Sequence, residues 1–198
     1  RNGKIVAAKG DLRYGAGAYP GSPVQAGAVC ALAAYDIPNV LIDGYAILVN
    51  KPKTAAYRAP GSTHVAYAVE SVMDEICEKI EMDPIDFRLL NASKEGGRRA
   101  DGPLWGPIGI SQVLKATQSS PHWNSVLVTD PKNGRKRGRG IATGFWRNAG
   151  RKSTVQLNVN NDGTVSLIEG SVDIGGTRAA IAMQAAEVLG LAAEDVNP

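Results

Sequence analysis

Residues 55–80 read AAYRAPGSTHVAYAVESVMDEICEKI, and the rest of the chain is organised around this stretch. A tight turn around Arg58 runs directly into an amphipathic helix, which Ser62 or Thr63 is placed to cap. First-turn N–H groups lack intrahelical partners, so this end of the helix and the permanent charge of Arg58 favour an anion. A solvated arginine beside a surface helix is the plainer alternative for the same residues. The apolar residues share one helical face: Val65, Val69, Val72, Met73, Ile76 and Ile80.

The composition is that of an ordinary globular protein, with 198 residues, 43% of them hydrophobic and 21% charged. This length suffices for one large domain or two small ones with a buried core. The net charge of +3 is too small to indicate a nucleic-acid partner, and no apolar run has membrane-spanning length. The chain begins with arginine and ends just after a helical pattern, so we expect a fragment of a longer polypeptide.

Cysteine and histidine are sparse. Cys30 and Cys77 lie within apolar helical patterns, so buried free thiols are expected, with a disulfide as the unsupported alternative. Neither these cysteines nor His64 and His122 have ligand spacing, which argues against a zinc or iron–sulfur site within the chain.

The first part of the chain alternates between strand and helix patterns. A serine and a proline at residues 22–23 begin one helix, and Asp83 with Pro84 begins another. Residues 40–49 are apolar on both faces, which is typical of a strand inside a covered sheet, although Asp43 and Gly44 interrupt the run. Residues 93–107 are glycine-rich and read as a loop. We predict strands over 4–8, 12–18 and 40–49 and helices over 22–34, 62–80, 84–91 and 108–116.

The last part has a different character. Residues 117–140 show no period, and the basic run within them, 132–139, reads as a solvated loop. Gly175, Gly176 and Thr177 open a final helix that Gly190 stops. We therefore predict one domain over 1–118, a linker over 119–139 and a second domain over 140–198. We also predict strands over 140–146, 154–159 and 164–172, a turn at 161–163, and a final-helix apolar face of Ile181, Ala185, Val188 and Leu189.

Two segments thus enter helices through glycine, at residues 59–61 and 175–177. Glycine lets the backbone approach a ligand closely and reach unusual dihedrals, so the two turns together suggest a cradle for an anionic cofactor. Neither turn has the spacing of a P-loop or of a dinucleotide fingerprint, which makes a generic nucleotide-binding module a weak alternative.

Several motifs in order resemble one family. They are YDIPNV (35–40), AYRAPG (56–61), AVESVMDE (68–75), MDP (82–84) with Arg88 and Asn91, DG (162–163), DIGG (173–176) and QAAE (184–187). Together they look like the molybdopterin-binding large subunit of the molybdenum hydroxylases, the family of xanthine dehydrogenase, aldehyde oxidoreductase and aerobic carbon monoxide dehydrogenase. The resemblance implies an α+β fold with mixed sheets and packed helices. The chain would span the end of the first molybdenum-cofactor domain and the start of the second.

The resemblance also implies site residues at the first turn. Arg58 matches the arginine of the family's R-G-x-G turn beside the molybdenum centre, and here the turn reads R-A-P-G. Arg58, Ala59, Pro60 and Gly61 are therefore candidate cofactor-binding residues. Proline stacks on a purine less well than the family's aromatic residue, and Ala26 replaces a substrate-binding arginine. Both departures argue against a purine substrate.

Gly175, Gly176 and Thr177 match the family's G-Q-G pterin-binding turn, with Gly176 in place of the glutamine. These three residues complete the candidate cofactor-binding set. The family's catalytic glutamate base lies further downstream, so no catalytic residue and no direct metal ligand are expected in this chain. Glu70 is expected to have a structural or helix-surface role.

The implied chemistry is hydroxylation of an aldehyde or heteroaromatic-type small molecule with water as the oxygen source. The implied cofactor is molybdenum–molybdopterin, with the cytosine dinucleotide form as our expectation, and iron–sulfur clusters and flavin on partner domains or subunits receive the electrons. We expect the full-length protein to be a cytoplasmic oligomer, and the isolated fragment to be inactive. The alternative is a molybdenum-free relative or scaffold segment that keeps the fold.

Overall fold

A computed structural model describes residues 2–128, 134, 136–147 and 152–198. The chain divides into two compact units, Arg1–Arg147 and Asn148–Pro198. Helices occur together with two small sheets, one parallel and one mixed, which confirms the predicted α+β class. Among the described residues, no helix is both long and apolar enough to cross a membrane.

The first unit contains a two-stranded parallel sheet and five helices among its described residues. Its elements are β1 (Ala8–Gly17), α1 (Val24–Cys30), β2 (Val40–Leu48), α2 (Ser62–Ile80), α3 (Pro84–Asn91), α4 (Ile110–Gln118) and α5 (Pro121–Asn124). The helix α1 connects β1 to β2, as a parallel pair requires a crossover. The main core comprises Cys30, Ala31, Leu32, Tyr35, Val65, Met73, Cys77 and Phe87.

The prediction of two strands before residue 20 is wrong, because β1 is one continuous strand. Gly10 pairs with Ile42 inside the ladder rather than forming a turn. A Cβ on Gly10 would lie 2.9 Å from Cδ1 of Ile42, so this glycine makes room for the neighbouring strand's side chain. Gly44 likewise does not interrupt β2, since a Cβ there would lie 2.9 Å from Cγ2 of Val24 on α1.

Two further predictions about this sheet region need correction. The helix α1 ends at Cys30 rather than at Ala34, because the next N–H groups, of Ala33 and Tyr35, donate to carbonyls three residues back instead of four. Tyr35 then pairs with Ala92 in an isolated bridge. In β2, Leu41 and Leu48 are 52% and 58% exposed, so the strand is not covered on both faces within this unit.

The helices α2, α3 and α4 confirm three predicted helices, although the predicted cap of α2 is wrong. Neither Ser62 nor Thr63 caps it; the N-cap is Gly61, and no side chain accepts a hydrogen bond there. By contrast, Asp83 caps α3 as predicted, accepting from the backbone N–H groups of residues 85 and 86 at 2.8 and 3.0 Å. The predicted loop over 93–107 contains one bridge, between Arg98 and Leu104.

Residues 140–146 form no strand, contrary to prediction. Two of their backbone groups, the N–H of Thr143 and the carbonyl of Phe145, form hydrogen bonds with side chains of α2 and not with a neighbouring strand. Within the basic run, Lys136 and Arg137 are exposed, whereas Lys132, Asn133 and Arg135 lie outside the described residues.

The second unit contains β3 (Val155–Val159), β4 (Val165–Glu169), α6 (Thr177–Leu189), a 3₁₀ turn (Ala193–Asp195) and β5 (Val196–Asn197). The antiparallel hairpin β3–β4 and its turn confirm the prediction, and β5 joins β4 in parallel. Its core comprises Val165, Leu167, Ala182, Ala186 and Val196.

The predicted apolar face of α6 is only partly right. The buried residues are Ala182 and Ala186, with Ile181 and Ala185 packed beside them. Val188 is 86% exposed, because alanines rather than the larger side chains face the rest of the unit's core. Gly190 ends the helix in a left-handed conformation, as predicted.

Candidate cofactor-binding turns

The first candidate site is the turn at residues 58–61, between the exit of β2 and the start of α2. Arg58 is exposed, and Ala59 and Gly61 both have positive φ, at 55° and 82°. The N–H of Ser62 donates to the Ala59 carbonyl at 3.1 Å, which closes the turn. The four predicted residues of this turn therefore lie together at the N-terminus of a 19-residue helix.

Close packing against α1 fixes this turn. A Cβ on Gly61 would lie 2.3 Å from the carbonyl oxygen of Pro23 and 3.0 Å from the nitrogen of Gly27. The Tyr14 hydroxyl donates to the Gly61 carbonyl at 2.7 Å, and a Cβ on Gly27 would lie 2.5 Å from that same hydroxyl. Burial raises the pKa of Tyr14, so the phenol stays protonated as the donor. Only glycine fits where these backbones meet.

The electrostatics of the turn suit an anion. The helix α2 has no acidic residue in its first turn and no side-chain cap, so its positive end is not neutralised locally. The exposed guanidinium of Arg58 adds a full positive charge at the same place.

The second candidate turn lies at residues 175–177, at the start of α6. Gly175 and Gly176 are both left-handed, with φ of 67° and 89°, and Gly176 is the N-cap. The Thr177 hydroxyl donates to the Ile174 carbonyl at 3.1 Å, and Asp173 accepts from the N–H of Arg178 at 3.4 Å. In the part of the chain that the structure describes, no group other than the adjoining residues lies within 4 Å of a Cβ built on Gly176, so this backbone has open space beside it. The two turns belong to different units.

A buried polar network lies behind the first turn, and its members are not among the predicted cofactor-binding residues. Glu70 is 5% exposed and accepts from Arg88 Nε at 2.9 Å, from the Thr143 N–H at 2.8 Å and from the Tyr35 hydroxyl. Arg88 is 1% exposed and also donates to Asp74 at 2.8 Å. Of the two roles expected for Glu70, the structure shows the structural one. The sequence does contain one signal of this network: Glu70 and Asp74 are four residues apart, which places both carboxylates on one face of α2.

The network also sets proton affinities. Burial and the adjacent Glu70 carboxylate raise the pKa of Tyr35 well above its usual range. Burial alone lowers the pKa of Arg88, but bonds to Asp74 and Glu70 outweigh that effect and hold the pKa above its ordinary value. Arg88 therefore stays charged and Tyr35 stays neutral, which is the combination that Glu70 needs as an acceptor.

A cavity of about 490 Å³ lies in the first unit, between the segment that follows α1 (residues 33–34), the helix α4 and residues 141–145. Trp105 and Phe145 line it, with ring centroids 5.0 Å apart in an edge-to-face arrangement. The guanidinium of Arg99 lies 5.2 Å from both ring centroids. The cavity is mostly apolar with a few hydroxyl groups, which is the usual character of a small-molecule pocket.

The thiols and the metal-ligating residue types show no metal centre in the described part of the chain. Cys30 and Cys77 are buried and free, as predicted, and burial raises the pKa of both thiols. Across residues 2–128, 134, 136–147 and 152–198, no three His, Cys, Asp or Glu side chains gather as metal ligands.

Two family models, each described as a molybdopterin cofactor-binding domain, match residues 1–92 and 117–198. The first candidate turn falls within the first match and the second turn within the second. Each matched region of this chain therefore contains a helix opened by a left-handed glycine, α2 in the first and α6 in the second.

The chain is also similar to curated proteins that are named as molybdenum-binding subunits. The xanthine dehydrogenase molybdenum-binding subunit of Escherichia coli is 28% identical over 160 residues, covering 75% of this chain and 21% of that protein. The aldehyde oxidoreductase molybdenum-binding subunit of Escherichia coli is 31% identical over 153 residues, covering 73% of this chain and 20% of that protein. The chain thus spans about a fifth of the length of these relatives.

Solved structures share the fold. The aldehyde oxidoreductase of Desulfovibrio gigas superposes with a TM-score of 0.75 at 23% identity, over 98% of this chain and 23% of that one. The quinoline 2-oxidoreductase of Pseudomonas putida superposes with a TM-score of 0.73 at 19% identity, over 99% of this chain and 28% of that one. With two consecutive domain matches and these relatives, the chain belongs to the molybdenum-binding subunits of the molybdenum hydroxylase family.

Proposed function

We propose that this chain forms part of the molybdopterin-holding region of a molybdenum hydroxylase large subunit. The observation that carries the proposal is that each matched domain opens one helix through a left-handed glycine without a side-chain cap. Two such helix ends are suited to the anionic and polar edges of a pterin cofactor. The proposed contacts are Arg58, Ala59, Pro60 and Gly61 in the first domain and Gly175, Gly176 and Thr177 in the second.

The donor chemistry of both turns fits this group. Arg58 offers a fork of positively charged N–H donors, which would bind and orient an oxyanion. At the second turn, the backbone of Gly176 faces open space, so a flat group can approach it without a side chain intervening. When bound, the molybdenum cofactor supplies the oxidation of a carbon centre with oxygen from water.

We further propose that the full-length protein hydroxylates an aldehyde or heteroaromatic-type substrate. The relatives named for aldehyde oxidation and for nicotinate dehydrogenation support this class. Pro60 and Ala26 stand where a purine-binding site would need an aromatic residue and an arginine, and these replacements argue against a purine. A glutamate base would come from a part of the large subunit downstream of this chain. The 198-residue chain alone is therefore expected to show no turnover.

The partners belong to the same proposal. The cofactor would carry a cytosine dinucleotide, and electrons would leave through iron–sulfur and flavin subunits or domains of a cytoplasmic, oligomeric complex. Relatives named as molybdenum-binding or large molybdopterin subunits support a multi-subunit arrangement. Co-purification with a tagged large chain, followed by identification of the subunits and the released nucleotide, tests each of these statements.

The molybdenum-to-protein ratio of the full-length gene product, purified with its partner subunits, tests the central proposal. We expect a ratio near one for the wild type, a severalfold lower ratio for Arg58→Ala, and no change for Arg137→Ala, an exposed arginine that belongs to neither candidate turn. A correctly assembled complex without molybdenum would instead favour a scaffold role. The replacements at Pro60 and Gly176 are the observations behind that second candidate.

A further inference from the structure

Residues 140–147 form a segment that we call the strap. The burial of its side chains alternates: Ile141, Thr143 and Phe145 are half-buried, and the residues between them are exposed. This alternation is typical of an extended chain, yet no strand pairs with it among the described residues. The strap must therefore satisfy its backbone groups by other means.

Side chains of α2 hold the strap at two points. Near the middle of the helix, Glu70 accepts from the N–H of Thr143 at 2.8 Å and from its hydroxyl at 2.9 Å. At the first residue of the helix, the Ser62 hydroxyl donates to the carbonyl of Phe145 at 2.7 Å. The anchors lie eight residues apart on α2, or about 12 Å along its axis, so the strap runs back toward the Arg58 turn.

Ser62 connects the strap to the turn. Its backbone N–H donates to the Ala59 carbonyl at 3.1 Å, and its side chain donates to Phe145. Ser62 is only 6% exposed, so water does not readily replace either bond. The ring of Phe145 is in turn held against Trp105 and Arg99, at the wall of the 490 Å³ cavity.

We infer that Ser62 is a positioning residue, which fixes the Arg58 turn relative to the strap so that turn and cavity wall hold one geometry. The inference rests on the proposed function for its consequence, cofactor retention, but not for the coupling itself. Loss of the Ser62 hydroxyl leaves the Phe145 carbonyl without its donor. The loosened strap then allows the turn to open more often.

The test uses the full-length protein with its partner subunits, in the variants Ser62→Ala and Thr143→Val. Ser71→Ala is the matched control, because Ser71 lies on the same helix and its hydroxyl donates to the Tyr67 carbonyl one turn back, at 2.7 Å. Thr143→Ser is the conservative variant, since it keeps the hydroxyl. Hydrogen exchange is measured in peptides covering the turn and the strap, and molybdenum retention is measured after timed incubation and gel filtration.

We expect Ser62→Ala to increase exchange about fivefold in both peptides, the factor corresponding to one ordinary hydrogen bond. Molybdenum loss should become severalfold faster. Thr143→Val should show the same pattern more weakly, and both Ser71→Ala and Thr143→Ser should behave like the wild type.

Two results would overturn the inference. Faster exchange in the strap alone, with the turn and molybdenum retention matching Ser71→Ala, would show that the strap merely covers the core. Unchanged exchange in both peptides would show that the hydrogen bond from Ser62 to Phe145 stabilises neither the turn nor the strap. A wild type that holds no molybdenum would instead contradict the proposed function, and the exchange data would still decide the coupling.

Discussion

Gly61 and Gly176 have similar positive φ angles, but the two glycine turns are held in different ways. Gly61 is wedged against the Pro23 carbonyl and receives a hydrogen bond from Tyr14. Among the described residues, no group outside the immediate chain neighbours lies within 4 Å of a Cβ built on Gly176, and the hydrogen bonds found at its turn are local ones. The first turn is thus preorganised by packing from α1 and β1, whereas the second depends on the intrinsic freedom of glycine. Because their surroundings differ, we expect the two glycines to respond differently to the same substitution despite their similar φ angles.

The largest effect is expected for Gly61→Ala. The new Cβ would lie 2.3 Å from a backbone oxygen and would also force alanine into a left-handed conformation, so we expect destabilisation of about 3 kcal/mol. Thermal unfolding and hydrogen exchange at residues 62–65 measure it. Gly106→Ala is the control, because that glycine has open space around it and no positive φ. Equal melting temperatures for the two variants would contradict the packed description of the first turn.

Tyr14→Phe should have the next largest effect. The substitution removes the donor to the Gly61 carbonyl while keeping the ring, and an unpaired half-buried carbonyl costs about 1.5 kcal/mol. The loss should be concentrated at the N-terminus of α2, where hydrogen exchange reports it. Tyr67→Phe serves as control because Tyr67 is 80% exposed. If exchange rose equally in both variants, the hydrogen bond from Tyr14 to Gly61 would not be what stabilises the turn.

Gly176→Ala should cost less, about 1 kcal/mol, because it introduces left-handed strain without a clash and part of that strain is offset by lower unfolded-state entropy. Gly176→Asn should cost still less, since asparagine tolerates this conformation. Thermal unfolding of the three proteins gives the order. If Gly176→Ala lowered the stability as much as Gly61→Ala does, packing would not distinguish the first turn from the second.

Ala59→Gly should have the smallest effect and the opposite sign. Ala59 has a φ of 55°, and relief of its strain exceeds the entropic cost of glycine by about 0.5 kcal/mol. Ala55→Gly, at an exposed position in the same segment, should instead destabilise slightly. A melting temperature that falls in the first variant as far as in the second would show that Ala59 carries no strain.

Local sequence signals predicted the elements whose causes are local. The helix α3 follows directly from Asp83 and Pro84, and the β3–β4 hairpin follows from alternation around an Asn-Asp-Gly turn. The α+β class and the family follow from the order of the motifs. Where these short-range rules decide the structure, the sequence alone was sufficient.

Contacts between distant residues decided the rest. Ser62 is a good cap by type, yet its hydroxyl bonds to Phe145, 83 residues away. Gly10 reads as a turn until the side chain of Ile42 on the neighbouring strand is considered. The Glu70 network joins segments up to 108 residues apart, through Tyr35 and Thr143. No periodicity within a short window contains such information.

The Glu70 network also determines where this chain can be cut. A truncation after residue 118 ends the first domain at its predicted boundary but removes Thr143, which gives Glu70 two of its hydrogen bonds. Such a shortened chain would keep the buried carboxylate while losing donors that balance it, and Phe145 would no longer cover the start of α2. A truncation after residue 147 keeps every one of these bonds. The strap therefore belongs with the first domain in any attempt to produce that domain separately.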